Sequence, residues 1–289
     1  YFYNDWRSKS PWADTRPDFG RPEVQQFLLD NVFMWLEEFQ LDGLRWDATN
    51  QIRNAHGRDG DPGGDIVDGW EFMKWVNSEV DARLPWKLII AEDMQNNAGI
   101  TQETADNGAG FDSQWDANFV HSIRQAVITP HDEDRDMEAV SKAIAFRYNG
   151  DALGRIIFTE SHDEVANGKA RVPEEIAPGA ADSFFAKKRS ALGAALLFTA
   201  PGIPMLFQGQ EFLESGWFDD QVPLDWVKTD RRAGIRLGQE CRVRRRDDGQ
   251  YRLLRPVHAR RHQDPTCLGA GRRVMAVRRY RYGPGHHLA

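Results

Sequence analysis

Lys87-Leu88-Ile89-Ile90-Ala91-Glu92-Asp93 is the stretch on which the fold turns. Its continuous apolar run is what a strand buried on both faces requires, the situation of a parallel sheet covered by helices. The run ends abruptly in two acids. In such sheets, polar residues at the C-terminal ends of strands are the place to look for chemistry.

The same unit recurs on either side. Upstream, Leu41-Asp42-Gly43-Leu44-Arg45-Trp46-Asp47 is a short strand that also ends at an acid, and apolar residues at spacings of three and four predict a helix over 22–39 before it. Val24, Phe27, Leu28, Val32, Trp35, Leu36 and Phe39 form its apolar face, and Pro22 and Glu23 suit its first turn. A second helix is predicted over 68–84, stopped by Pro85. Downstream, residues 110–115 read as a weaker strand, 118–127 as a helix, 155–159 as a strand, 181–198 as a helix and 203–207 as a strand. The acidic run 131–136 reads as an exposed turn before a further helix. Five strand-then-helix units in series imply an α/β fold with a parallel sheet and helices outside it.

Composition agrees with a globular chain. Of 289 residues, 40% are hydrophobic and 28% charged, with 16 Phe and ten Trp, which excludes a disordered class. Most of those aromatics are expected in the core, although aromatic faces also suit sugar rings. No apolar run reaches the roughly 18 to 20 residues of a membrane span. The formal charge of −7 hides an asymmetry: residues 231–289 hold 16 Arg, no Lys and four acids, a net of +12, and residues 1–230 carry −19. Both cysteines, Cys241 and Cys267, lie in the basic part and give neither a disulfide framework nor a metal pattern.

Three acids at strand ends carry the functional reading: Asp47, Glu92 and Asp163. Each alone reads equally well as a loop acid or helix cap. Neighbouring parallel strands lie about 4.8 Å apart, close to the roughly 5 to 5.5 Å between nucleophile and general acid in retaining glycosidases. Arg45 stands two residues before Asp47, on the same face, where its guanidinium favours an ionised carboxylate. Glu92 follows apolar residues whose burial raises a carboxyl towards the range of a general acid.

These segments resemble those of the α-amylase superfamily of retaining α-glucan enzymes. D-G-L-R-W-D-A at 42–48 is similar to the family's nucleophile segment, I-A-E-D at 90–93 to its acid/base segment and S-H-D-E at 161–164 to its third-carboxylate segment, in family order. The resemblance implies a (β/α)8 TIM-type barrel, Asp47 as nucleophile, Arg45 as its partner, Glu92 as acid/base, Asp163 as the third carboxylate and His162 as a substrate-hydroxyl contact. It implies no metal or other cofactor, α-1,4-glucan as partner rather than nucleic acid or membrane, and a cytoplasmic location.

H-D-E-V with Gly168-Lys169, G-F-D-S-Q-W at 110–115, P-G-I-P-M-L-F-Q-G-Q-E-F at 201–212 and P-L-D-W at 223–226 are similar to segments of 1,4-α-glucan branching enzymes. Asn50 and Gln51 replace the Lys-His pair typical of amylases, whereas Ala91-Glu92-Asp93 is closer to trehalose-releasing hydrolases. Branching is therefore expected. The alternatives are an amylase-type or trehalose-releasing hydrolase, and an inactive fragment that binds glucan through Trp46, Trp70 and Trp115.

Over residues 1–230 the resemblance implies only barrel strands four to eight, because the family's first segment is absent. The chain starts without Met or a signal sequence and reads as beginning in the loop after the third strand. A sheet cut there is expected to expose two long apolar edges. For residues 231–289 the choice is between an Arg-rich nucleic-acid-binding tail and a reading-frame slip near residue 236, and the absence of hydrophobic periodicity favours the slip. Two further features are weak: Asp59, Asp61 and Asp65 resemble a calcium loop but lack its closing Glu, and read as a solvated Gly-rich loop. Gly209-Gln210-Glu211 is expected to close the last strand.

Overall fold

The computed structural model describes residues 1–226 and the backbone of two short strands at 243–245 and 251–253. The boundary expected at residue 230, the Arg-rich segment's two readings and both cysteines lie outside the described residues, apart from those two strands, which pair antiparallel.

All five expected strands form. They are β1 (Gly43–Trp46), β2 (Leu88–Ala91), β3 (Ser113–Trp115), β4 (Arg155–Ile157) and β5 (Ile203–Pro204). They make one parallel sheet in sequence order, β1-β2-β3-β4-β5. The helices are α1 (Pro22–Phe33), α2 (Thr49–Arg53), α3 (Val67–Arg83), α4 (Ala117–Ile128), α5 (Met137–Ala145), α6 (Val172–Ile176) and α7 (Phe184–Thr199). Asp116, Asp136 and Ser183 cap α4, α5 and α7, each accepting a backbone N–H in the helix's first turn. This parallel, helix-covered arrangement is part of a (β/α)8 barrel.

Strand periodicity sorts the side chains onto two faces. Leu44, Trp46, Ile89 and Ala91 pack outward with Phe33, Phe72, Met73 and Val76 of the helices. Ile90, Trp115, Ile156 and Phe158 form a separate cluster on the inner face. Ile89 and Ala91 are buried, but Leu88 and Ile90 are only partly so. The apolar run at 87–93 is therefore less enclosed on its inner face than the sequence predicts.

Two expectations need correction. Helix 22–39 is continuous only to Phe33 and then widens into a π-helical turn, Met34–Glu38. Val24, Leu29, Val32, Phe33 and Leu36 are buried, whereas Phe27, Trp35 and Phe39 face outward. The apolar stripe is thus wider than the face this sheet covers. The second edge of the sheet is also short rather than long: β5 has two residues, and Pro204 brings no N–H to it.

Candidate active site

The register of β1 and β2 sets the site. Arg45 lies opposite Ile90 and Trp46 opposite Ala91, so the next pair along is Asp47 and Glu92. The ladder continues past the strand ends, with the Glu92 N–H donating to the Trp46 carbonyl at 3.0 Å and the Thr49 N–H to the Glu92 carbonyl at 2.9 Å. Arg45, Asp47 and Glu92 follow one another on the inner face.

Arg45 joins the two acids. Its Nη1 donates to Asp47 Oδ1 at 2.6 Å, and its Nη2 donates to Glu92 Oε2. The sequence predicts only the first of these contacts. The guanidinium also lies 4.5 Å over the Trp115 ring from β3, which holds it flat against the wall of the site. Ala48, in the left-handed region at φ 43°, turns its N–H to Glu92 Oε2 at 3.1 Å. A non-glycine residue at such an angle is strained, and the turn it makes here is what brings its N–H to Glu92.

The two acids sit in opposite surroundings. The Asp47 side chain is 71% exposed and the Glu92 side chain 12%. Burial raises the Glu92 pKa above the ordinary carboxylate value, while the Ala48 N–H and Arg45 pull it down and the charges of Asp47 and Asp163 add to the rise. Those two charges act on Glu92 together, which brings all three candidate carboxylates into one electrostatic centre.

The β4 end resolves the charged run Glu160-Ser161-His162-Asp163-Glu164. Glu160 is buried, accepts the Val172 N–H at 2.7 Å and faces Arg171 Nη1 at 3.5 Å. Glu164 pairs with Lys169 at 3.1 Å. His162 and Asp163 remain exposed, with His162 Nε2 3.4 Å from Asp163 Oδ2 and the imidazole edge-on to Trp115 at 6.2 Å. Only two of the four ionisable groups therefore face open space.

Other sequence candidates do structural work. Gln210 joins the ends of β4 and β5, donating to Thr159 Oγ1 at 2.7 Å and accepting the Phe207 N–H at 3.1 Å. Trp46 and Trp70 pack against the outer core, and of the three named tryptophans only Trp115 touches the site. In the Gly-rich loop, Asp59 pairs with Arg53, Asp61 with His56 and Arg58, and Asp65 accepts from Asn54. The enclosed cavity beside β4, bordered by Thr159, Glu160 and Ser190, is lined by none of the three catalytic candidates.

Sequence reasoning missed one group. Asp93 is fully buried, bound through both oxygens by Arg53 at 2.9 and 2.8 Å, and Thr49 Oγ1 hydrogen-bonds both Asp93 and the Glu92 carbonyl. The position where the sequence departs from branching enzymes thus supports the backbone of Glu92 from behind. The second acid of E-D was the available signal, but nothing local pairs it with an Arg forty residues away.

No protein-family profile matches the chain. Comparison with curated proteins finds the 1,4-alpha-glucan branching enzyme GlgB of Corynebacterium jeikeium, 32% identical over 233 residues that cover 76% of this chain and 31% of that protein. GlgB of Lactobacillus acidophilus is 33% identical over 237 residues, 78% of this chain and 36% of that protein. GlgB 2 of Streptomyces avermitilis is 30% identical over 267 residues, covering 88% and 44%. The chain thus spans between about a third and under half of the length of these relatives.

Among solved structures, the cyclic alpha-maltosyl-(1→6)-maltose hydrolase of Arthrobacter globiformis superposes with a TM-score of 0.55 at 21% identity, over 77% of this chain and 45% of that one. A putative alpha amylase from Salmonella typhimurium superposes with a TM-score of 0.56 at 19% identity, over 89% and 44%. At these identities the solved structures speak for the barrel fold alone, and over the stretch they share the chain is similar in sequence to 1,4-α-glucan branching enzymes.

Proposed function

We propose that residues 1–230 supply the acid-bearing part of a centre that cuts α-1,4-glucan with retention and passes the cut segment to a 6-hydroxyl. The observation that carries this reading is Arg45 held between an exposed Asp47 and a buried Glu92. Glu92, whose pKa burial raises, gives its proton to the glycosidic oxygen while Asp47 attacks the anomeric carbon. Asp163 and His162 bind ring hydroxyls as positive charge develops on the sugar. The Glu92 carboxylate then takes the proton of an incoming 6-hydroxyl, whose oxygen displaces Asp47 and leaves an α-1,6 branch. The proposed partners are glycogen, starch and maltooligosaccharides, and the proposed setting is cytoplasmic glycogen synthesis.

Water in place of the 6-hydroxyl gives hydrolysis, the second reading, favoured by the Ala91-Glu92-Asp93 sequence. The pairing of Asp93 with Arg53, away from the open face, weakens that argument. The test is this sequence in a barrel completed to the length of its relatives, incubated with amylose while α-1,6 linkages and reducing ends are counted. New α-1,6 linkages without matching reducing ends support branching; reducing ends alone favour hydrolysis. Full activity in Asp47→Ala rejects the mechanism in both forms.

A further inference from the structure

His162 and Asp163 lie on a loop whose two ends are tied by one side chain outside it. The loop runs over residues 160–169, from the end of β4 towards α6, and Arg124, a buried residue of α4, reaches both of its ends. Arg124 Nη1 donates to the Thr159 carbonyl at 3.1 Å, and Nη2 donates to the Ala170 carbonyl. Glu175 of α6 completes the clasp. Its Oε1 accepts the Ala170 N–H at 2.8 Å and lies 3.7 Å from Arg124 Nη2. A planar guanidinium presents its N–H groups in a fixed fork, so one side chain holds two carbonyls at a set separation.

The clasp and the site share an anchor. α4 follows directly on β3, whose Trp115 meets the His162 imidazole edge-on at 6.2 Å. Arg124 therefore fixes the loop to the same strand–helix unit that supplies the ring beside His162. Inside the loop, Glu164 pairs with Lys169 at 3.1 Å, and the Glu164 N–H donates to Ser161 Oγ at 3.2 Å. Ser161, Glu164 and Val165 are buried, whereas the His162 and Asp163 side chains are 44% and 55% exposed. Two half-exposed side chains take their placement from the backbone beneath them, and that backbone is held at its base by Arg124.

We infer that Arg124 and Glu175 are positioning residues for His162 and Asp163, setting where these two side chains stand against Trp115. Their bonds go to the backbone at the two ends of the loop, through which they act. The inference rests on the reading of His162 and Asp163 as sugar contacts. Misplacing such a group by about 1 Å can cost about 10²-fold in rate, so the base of the loop matters to the reaction without touching the sugar.

The experiment is NMR of the 289-residue chain carrying ¹³C-labelled histidine and tryptophan, read as the nuclear Overhauser contact between the His162 and Trp115 rings. His162→Gln and Trp115→Phe assign the two signals. The contact is expected in the native sequence and is expected to be lost in Arg124→Met, which removes both donors. Glu175→Ala, at a side chain 30% exposed, frees only the Ala170 end and is expected to weaken the contact. Arg135→Met is the control: it removes a bond to the Ala126 carbonyl, outside the loop, and is expected to leave the contact in place. A contact of native strength in folded Arg124→Met, or in Glu175→Ala where Arg124→Met does not fold, overturns the inference. So does an equal loss in Arg135→Met, which marks general loosening, and so does absence of the contact from the native sequence. These outcomes read geometry alone and leave the glucan-cutting reading standing, whereas full activity in Asp47→Ala rejects that reading without touching the clasp.

Discussion

At the scale of single residues, the site depends on what surrounds Glu92. Its raised pKa comes first from burial and then from competition between Arg45, which lowers it, and the charges of Asp47 and Asp163, which raise it. Replacing a like charge removes part of the rise, so Asp163→Asn is expected to lower the Glu92 midpoint and Arg45→Met to raise it, as followed by ¹³C NMR of the carboxyl carbon. Under the proposed mechanism this group is expected to govern the basic limb of the pH–rate profile. Activity is present while Glu92 is protonated and falls as the pH climbs through its pKa, so Asp163→Asn moves that limb to lower pH. Glu92→Gln removes the proton altogether and is expected to cost about 10² to 10⁴ in kcat. The shared face of Asp47 and Arg45 and the burial of Glu92 are legible in the sequence, because strand periodicity sets the face and the apolar run sets the burial. The turn of Ala48 that brings its N–H to Glu92 is not legible, since Ala carries no signal for positive φ.

Individual elements are held by buried ion pairs behind the strand ends. Arg53 at the end of α2 and Asp93 after β2 form such a pair, and Arg53→Ala is expected to destabilise the chain by about 3 kcal/mol or more, because it leaves a buried carboxylate uncompensated. Urea denaturation measures this. Glu160, after β4, is different. Burial raises its pKa despite Arg171, and its Oε2 has no hydrogen-bond partner among the described residues. The folded state therefore holds this proton at pH values where the unfolded chain has released it, so stability is fully present below the ordinary value of 4.5 and is lost as the pH rises towards the folded pKa. Glu160→Gln is expected to flatten the fall of Tm with pH above 4.5, and an unchanged slope would contradict this. The five strands and the long helices were legible from hydrophobic period. The short helices α2 and α6 were not, because five residues hold too little periodicity and their support is long-range.

For the whole molecule, the outer helices show exposed apolar side chains among the described residues. Phe27 of α1 and Phe184, Phe185 and Leu192 of α7 are all exposed. Such patches favour association. Changing Phe27, Phe184 and Phe185 to Ser is expected to raise the monomer fraction in size-exclusion chromatography, with each substitution altering stability by less than about 0.5 kcal/mol. Phe27 also shows why the apolar face read from sequence is wider than the buried one: periodicity marks every apolar residue on a helix, without saying which side this sheet covers. In the proposed mechanism Asp47 forms the covalent link to sugar and Glu92 handles the proton. The most direct measurement is mass spectrometry of the completed barrel after incubation with a 5-fluoromaltosyl fluoride, which slows hydrolysis of a glycosyl-enzyme ester. A 5-fluoromaltosyl adduct is expected on the peptide carrying Asp47; an adduct on Glu92 or Asp163 instead would overturn the assignment.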